Sequence, residues 1–410
     1  MAIRVLLLTQ WFDPEPTFKG LAFARELVRQ GFDVEVVTGF PNYPGGKLYT
    51  GYRIKYLQRD IIEGVQVARV PLYPSHDQSS VKRVANYVSF AISSLFYCLF
   101  FAKRADVIYA YHPPLTVGVV ASLVRTLRRI PVVYDIQDMW PDTLSATDML
   151  KGSRVLAGVA AVCSWVYRHV DHIVVLSPGF KRLLVSRGVP EGKLQVVYNW
   201  ADEAALAEPK HGCPAALTTD DRRFTVLFAG NMGKAQALDA VLDAAQLLQR
   251  RGVAVRWVML GGGVDVSRLR QRAHDLSLSS VVFLPFVPMA EVGAYLNAAD
   301  VLLVHLRKEP LFSVTIPSKT QAYMAMGKPL LMAVDGDAAD LVHQSGGGVV
   351  VAPENPQALA DAVEQMTSLS SDELHAMGQR AKEYYQQHLA IAVGVRHFGE
   401  IFKRLSGVHK

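Results

Sequence analysis

One pattern occurs twice in this chain, and it leaves few folds open. Short, wholly apolar, β-branched runs alternate with helix-patterned segments. In the first half the runs lie at 3–9, 34–38, 106–111, 132–136, 172–177 and 195–198. Residues 20–30 are patterned as a helix, with Leu21, Ala24, Leu27 and Val28 on one face. Around 202–223 the pattern lapses into Ala, Glu, Lys, His, Pro, Thr and Asp, which reads as a linker. It restarts with runs at 224–229, 255–260, 281–284, 301–305, 330–333 and 349–351. Strands that are apolar throughout and separated by helices belong to a parallel sheet covered on both faces. The expected fold class is therefore α/β, with two doubly wound, Rossmann-like domains facing each other across a cleft. Ligands in such sheets sit at the carboxyl ends of the strands. A chain of 410 residues suits two cores of about 200 residues better than one. The expected limits are 1–202 for the first domain, 203–223 for the linker and 224–385 for the second domain. A helix at 386–410 is expected to pack back toward the first domain.

The net charge of +6 points to an anionic partner, either a membrane surface or a phosphate-bearing substrate. Nucleic acid fits poorly, because no basic run is interleaved with aromatics. Cys98, Cys163 and Cys213 are scattered, without zinc or redox spacing, and point to a reducing compartment. The apolar run at the N-terminus is too short for a signal peptide and reads as a buried strand.

Residues 84–101, VANYVSFAISSLFYCLFF, carry no charge, and Lys82, Arg83, Lys103 and Arg104 flank them. At about 1.5 Å per residue such a helix would barely cross a bilayer. Crossing would also split one sheet between two compartments. Two readings stay open: a helix buried under the sheet, or one lying in an anionic membrane surface through residues 82–104.

Candidate ligand contacts cluster at strand ends. In PSKTQAYMAMGKP, residues 317–329, Pro317 and Ser318 open a short helix that Gly327 and Pro329 close. A helix start offers unpaired N–H groups and partial positive charge to a phosphate. Lys319 adds a full charge there, with Ser318, Thr320 and Gln321 alongside. The AGNMGK stretch places Gly230, Asn231, Gly233 and Lys234 in an anion loop without P-loop spacing. Gly20 and Gly262 lie in further strand-to-helix turns. Backbone near Phe286 and Val287 is placed to read a base. YDIQDMWPD, residues 134–142, supplies Gln137, Asp138, Trp140 and Asp142 as a sugar-binding wall, although Asp138 also fits a helix cap. His112 is placed similarly. Asp335-Gly336-Asp337 reads more readily as a turn than as a cation site, so no obligatory metal or other cofactor is expected.

Taken together, these stretches resemble the GT-B-fold glycosyltransferases of the large retaining family 4. The resemblance rests on Gly20 with 27–38, on 173–177, 188–190 and 198–202, and on 228–230, 261–263, 299–301 and 324–329. Residues 41–44, 135–142 and 317–319 are similar to a bacterial O-antigen and capsule branch that includes N-acetyl-L-fucosamine transferases. The resemblance implies an acceptor-binding first domain and a second domain that binds a UDP-sugar. It also implies transfer to a sugar on undecaprenyl diphosphate by an enzyme peripheral or monotopic on the cytoplasmic membrane face. The transferred sugar would be an N-acetylated deoxy- or amino-hexose. Asp138, Lys319 and Lys234 are this chain's own candidate catalytic groups. Gly20, Gly230, Asn231, Gly233, Gly262, Phe286, Val287, Ser318, Thr320 and Gln321 would hold the donor, and His112, Gln137, Trp140 and Asp142 the acceptor. The departures are specific. The family's diphosphate-binding Arg and Lys fall near Asn231 and Gln236, its paired glutamates at Val314 and Ala322, and its first-domain His at Gln137. A UDP-sugar 2-epimerase or a non-catalytic nucleotide-sugar-binding subunit would share the fold.

Overall fold

The first alternation builds an eight-stranded sheet. In chain order its strands are β1 (Arg4–Leu8), β2 (Asp33–Gly39), β3 (Gln58–Ile62), β4 (Val65–Val70), β5 (Val107–His112), β6 (Val132–Ile136), β7 (His172–Val175) and β8 (Leu194–Val196). They lie in the order β3-β4-β2-β1-β5-β6-β7-β8. All neighbours are parallel except β3 and β4. The winding reverses between β1 and β5, and this switch point directs the loops after both strands toward one crevice. The β3–β4 hairpin is absent from the strand pattern read above. Its turn residues, Glu63 and Gly64, take φ of 48° and 84°, the left-handed pair that a two-residue hairpin needs. The outer strand β3 alternates half-buried with exposed residues, so it carries no continuous apolar run.

The second alternation builds a six-stranded parallel sheet. Its strands are β9 (Phe224–Ala229), β10 (Val255–Leu260), β11 (Val281–Leu284), β12 (Val301–His305), β13 (Leu330–Ala333) and β14 (Gly348–Val350). They lie in the order β11-β10-β9-β12-β13-β14, the doubly wound arrangement with its switch between β9 and β12. Trp257, Phe228, Leu242, Val363 and Met366 are among the residues that close its core.

This computed structural model describes residues 2–75, 80–146, 152–207 and 223–407. The chain divides into residues 1–198 with 394–410, and residues 199–393. The second unit thus begins before the expected linker. Helix Glu203–Ala207 belongs to it because the Glu203 carboxylate accepts from Tyr385 Oη at 2.7 Å and from Ile391 N at 2.9 Å. The rest of the expected linker, 208–222, lies outside the described residues. The last helix is Ile391–Ser406 rather than one starting at 386, since the preceding helix, Ser371–His388, runs to His388. From Gly394 onward the chain is part of the first unit. Phe398 and Phe402 are fully buried there, with Phe398 edge-on to Phe23 and Tyr109 at 5.2 and 5.4 Å.

The uncharged segment forms helix Ser80–Phe100. The reading of a buried helix holds for one face only. Asn86, Phe90, Ser94, Tyr97 and Cys98 are buried, and Tyr97 Oη donates to Glu35 at 2.8 Å. On the opposite face Val84, Val88, Ile92, Phe96 and Phe100 are 44–68% exposed at spacings of four residues. This is one continuous apolar stripe.

Candidate active site

In the second unit the loops after β9 and β10 pack backbone to backbone. Gly230 N donates to Leu260 O at 2.8 Å and Met232 N donates to Gly262 O at 2.7 Å. A Cβ at Gly261 would stand 2.2 Å from Gly230 O, and one at Gly263 would stand 2.3 Å from Met232 O. Both glycines also sit at positive φ, 134° and 142°. The triple glycine is therefore required by loop packing, and only Gly262 faces open space.

Helix Ser318–Met326 is anchored to this layer by Tyr323. Its Oη accepts from Ala229 N at 3.0 Å and donates to Ala229 O at 3.4 Å. That anchor brings Lys319 against the first glycine loop. Lys319 Nζ lies 3.4 Å from the centroid of the Phe228 ring, and any side chain at Gly230 would meet Lys319 Cε at 2.8 Å. Lys319 is mostly buried and pairs with no carboxylate among the described residues. Burial pulls its ammonium down to about 7. A cation at a helix N-terminus also opposes the helix dipole, so the arrangement is poised for an anion.

Around Lys319 the expected contacts separate. Ser318 is exposed at the first helical position. Thr320 is fully buried, and its hydroxyl has no partner among the described residues. Gln321, expected among the donor contacts, is buried. With its amide oriented to suit its surroundings, its nitrogen donates to Pro317 O at 2.8 Å and to Ser318 O at 3.3 Å, within its own helix turn. Lys234 is exposed at the head of the single turn Lys234–Gln236. Asn231 is exposed too, and Gln236 accepts from Gly233 N at 3.0 Å. Phe286 is exposed and Val287 half-buried beyond β11. His305, at the end of β12, was not singled out from the sequence. It is buried between Gln236 O, 2.7 Å from Nδ1, and Glu354 N, which donates to Nε2 at 3.3 Å, and burial lowers its pKa. It braces the 234–236 turn. The Asp335-Gly336-Asp337 stretch is a turn opening helix Asp337–Ser345. Gly336 has a φ of 75° and lies against Ser313 O.

In the first unit several expected contacts are corrected. Gly20 offers no open helix start. Asp13 reaches over it and its carboxylate accepts from Leu21 N at 2.6 Å, so a Cβ at Gly20 would strike Asp13 at 2.2 Å. His112 is 2% exposed, edge-on to Trp140 at 5.2 Å, and burial pushes its pKa down to about 3. It packs edge-on against both Trp140 and Tyr134 and is closed off from solvent. Asp142 is held by Arg187, which donates to both its oxygens at 2.7 Å. Gln137 donates to Asp135 at 2.6 Å, and Tyr109 donates to the same buried carboxylate at 2.5 Å. Lys19, also wholly buried, supplies the charge opposite Asp135. Asp138 stays free: its carboxyl has no hydrogen-bond partner among the described residues, and burial raises its pKa.

These two strand-end clusters lie in sequence blocks that match known families. Residues 21–200 match the Glycosyl transferase 4-like domain, and residues 223–368 match the Glycosyl transferases group 1 family. The "Probable glycosyltransferase WbjE" of Pseudomonas aeruginosa is 24% identical over 309 residues, 74% of this chain and 76% of that one. The "Putative colanic acid biosynthesis glycosyl transferase WcaI" of Escherichia coli K12 is 26% identical over 386 residues, 88% and 92% of the two chains. Among solved structures, sucrose-phosphate synthase from Thermosynechococcus elongatus superposes with a TM-score of 0.74 at 15% identity, covering 99% of both chains. Anabaena HepE in complex with UDP-glucose gives 0.67 at 17% identity, covering 98% of this chain and 100% of the other. Two Rossmann-like sheets of this order, with these matches over both halves, identify the chain as a member of the GT-B glycosyltransferases.

Proposed function

We propose that this enzyme transfers a sugar from a nucleoside-diphosphate sugar, UDP-linked in the simplest case, to a lipid-linked sugar in surface-polysaccharide biosynthesis. Lys319 carries the reading. It is a mostly buried, unpaired cation at a helix start, pressed against a glycine loop, and a diphosphate supplies the missing charge. Lys234 adds an exposed cation one loop away, so the leaving diphosphate is met by preorganised positive charge without calling on a metal. The glutamates of related enzymes are replaced by Val314 and Ala322, so the ribose is held by other groups. WcaI is named for colanic acid, and HepE is described with UDP-glucose. Those names favour a polysaccharide product and a UDP-sugar donor. Retention of anomeric configuration follows the family.

In the transfer, the acceptor hydroxyl oxygen bonds to the anomeric carbon, and the bond from that carbon to the phosphate oxygen breaks. The electron pair leaves with UDP, and the hydroxyl proton is lost. Asp138 is the candidate to orient that hydroxyl or take its proton. In this reading the enzyme works on the cytoplasmic membrane face, and the exposed apolar stripe of helix Ser80–Phe100, with Lys103 and Arg104 beyond its end, supports that.

Thermal unfolding with UDP, GDP or ADP tests the donor assignment. At a hundred times its dissociation constant, a ligand adds about 2.7 kcal/mol of stability. A shift with UDP that vanishes in Lys319→Ala is expected. No shift with any nucleotide would overturn it.

A further inference from the structure

Three loops and one helix of the first unit carry Asp138 and three aromatic side chains that none of the contacts above uses. Trp11 follows β1 and Tyr43 follows β2. Their rings stack with centroids 4.5 Å apart and planes 27° apart, and both remain partly exposed. One buried carboxylate holds both loops. Glu15 accepts from Asn42 N at 2.7 Å and Tyr43 N at 2.8 Å through one oxygen, and from Phe12 N at 3.2 Å through the other. The stacked pair is thus fixed in place before any ligand arrives.

Tyr87 comes from helix Ser80–Phe100, whose inner face is locked by its neighbour Asn86. Asn86 donates to Tyr73 O at 2.6 Å and accepts from Gln10 Nε2 at 2.5 Å. Burial, and then the charge of Asp138, raises the Tyr43 phenol, and Asp138 also acts on Tyr87. Asn86 Nδ2 also donates to Asn42 Oδ1 at 3.3 Å, so Tyr87 stands beside the loops that carry Trp11 and Tyr43, and Asp138 follows β6 at the same carboxyl edge of the parallel sheet. Arg83, one turn before Tyr87, acts on it as well. The outer face of the same helix is the exposed apolar stripe.

We infer that this cluster is the subsite for the acceptor's sugar ring, with Trp11 and Tyr43 as a stacking shelf and Tyr87 and Asp138 holding its hydroxyls. The inference rests on the glycosyl-transfer reading above and deepens it. The C–H face of a sugar packs on an aromatic face, while its hydroxyls need acceptors and donors at the rim. An acceptor seated here would lead its own diphosphate past Arg83 toward the apolar stripe, which fits a sugar carried on a lipid.

Saturation-transfer NMR tests this with short polyprenyl diphosphates carrying glucose, galactose, mannose, fucose or N-acetylglucosamine. Ring protons of at least one probe should be saturated, and Trp11→Ala or Tyr43→Ala should weaken that binding by at least about tenfold. Tyr87→Phe, which removes a hydroxyl and little packing, guards against misreading a folding defect and should also weaken it. Saturation equal in all variants, or none with any probe, would overturn the subsite. The UDP-induced thermal shift, read on the same samples, judges the donor assignment separately.

Discussion

Lys319 is a lysine whose surroundings disfavour its own charge. Burial brings its pKa from 10.5 to about 7, so above pH 7 the empty protein holds it largely neutral. The unfolded chain still binds that proton up to about pH 10.5. This group's contribution therefore makes the empty protein more stable as pH rises from 7 toward 10.5. A bound diphosphate reverses the preference and restores the proton. Nucleotide binding at pH 8 should take up close to one proton, read by calorimetry in two buffers of different ionisation enthalpy. Lys319→Arg, always charged, should bind with no such uptake. Equal proton uptake in both proteins would place the titrating group elsewhere. Turnover in Lys319→Ala should fall at least tenfold, about 1.4 kcal/mol of barrier. A second buried charge makes a structural prediction. Lys19 and Asp135 are both fully buried and oppose each other. Removing one partner leaves the other uncompensated, so Lys19→Met should cost about 3–5 kcal/mol in urea unfolding. Adding Asp135→Asn should recover much of that. If the double variant is as unstable as the single one, charge pairing is not the reason Lys19 is there.

At the scale of the element, helix Ser80–Phe100 divides its duties by face. Its buried face carries Asn86, Phe90, Tyr97 and Cys98, and its exposed face carries Ile92 at 66% and Phe96 at 57%. Charged residues on the exposed face should leave stability within about 0.5 kcal/mol. Ile92→Glu with Phe96→Glu should nonetheless lower binding to phosphatidylglycerol vesicles at least about tenfold, since each apolar side chain withdrawn from lipid forfeits 1.5 kcal/mol or more. Flotation unchanged in that variant would assign the stripe to a protein partner. This helix also marks the limit of legibility in the sequence. Its length and lack of charge are plain in the residues, but the division of faces depends on which neighbours cover it. The other strands of both sheets were readable because they are largely apolar, whereas β3 is half exposed and alternates and β4 carries Gln66 and Arg69 within it. The second domain's glycine turns and the helix starting at Ser318 were legible because glycines, prolines and lysines mark such turns and helix starts within a few residues. The first-domain site was not. Asp13 covers the Gly20 helix start from seven residues upstream, and Arg187 claims Asp142 from 45 residues away. Trp11, Tyr43 and Tyr87 meet only once three separate segments fold.

For the whole molecule, the defining fact is that the chain leaves the first unit at residue 198 and returns to it at 394. The first unit is therefore incomplete as a continuous segment. Phe398 and Phe402 come back to pack against Phe23, Phe32 and Tyr109. Gly399 permits this approach, since a Cβ there would already lie 3.1 Å from the Phe32 ring. Burying two such side chains contributes roughly 3–6 kcal/mol, which is comparable to the whole stability of many domains. A fragment of residues 1–198 should consequently unfold without a sharp transition and bind a dye for exposed apolar surface. The same fragment with residues 391–410 joined through a flexible glycine–serine linker should regain a cooperative transition. Phe398→Ala in that fusion should remove about 3–5 kcal/mol of it. Were residues 1–198 alone to melt as sharply as the fusion, the returning helix would be an accessory, and the first unit's core would be closed by β1 through β8 and their own helices.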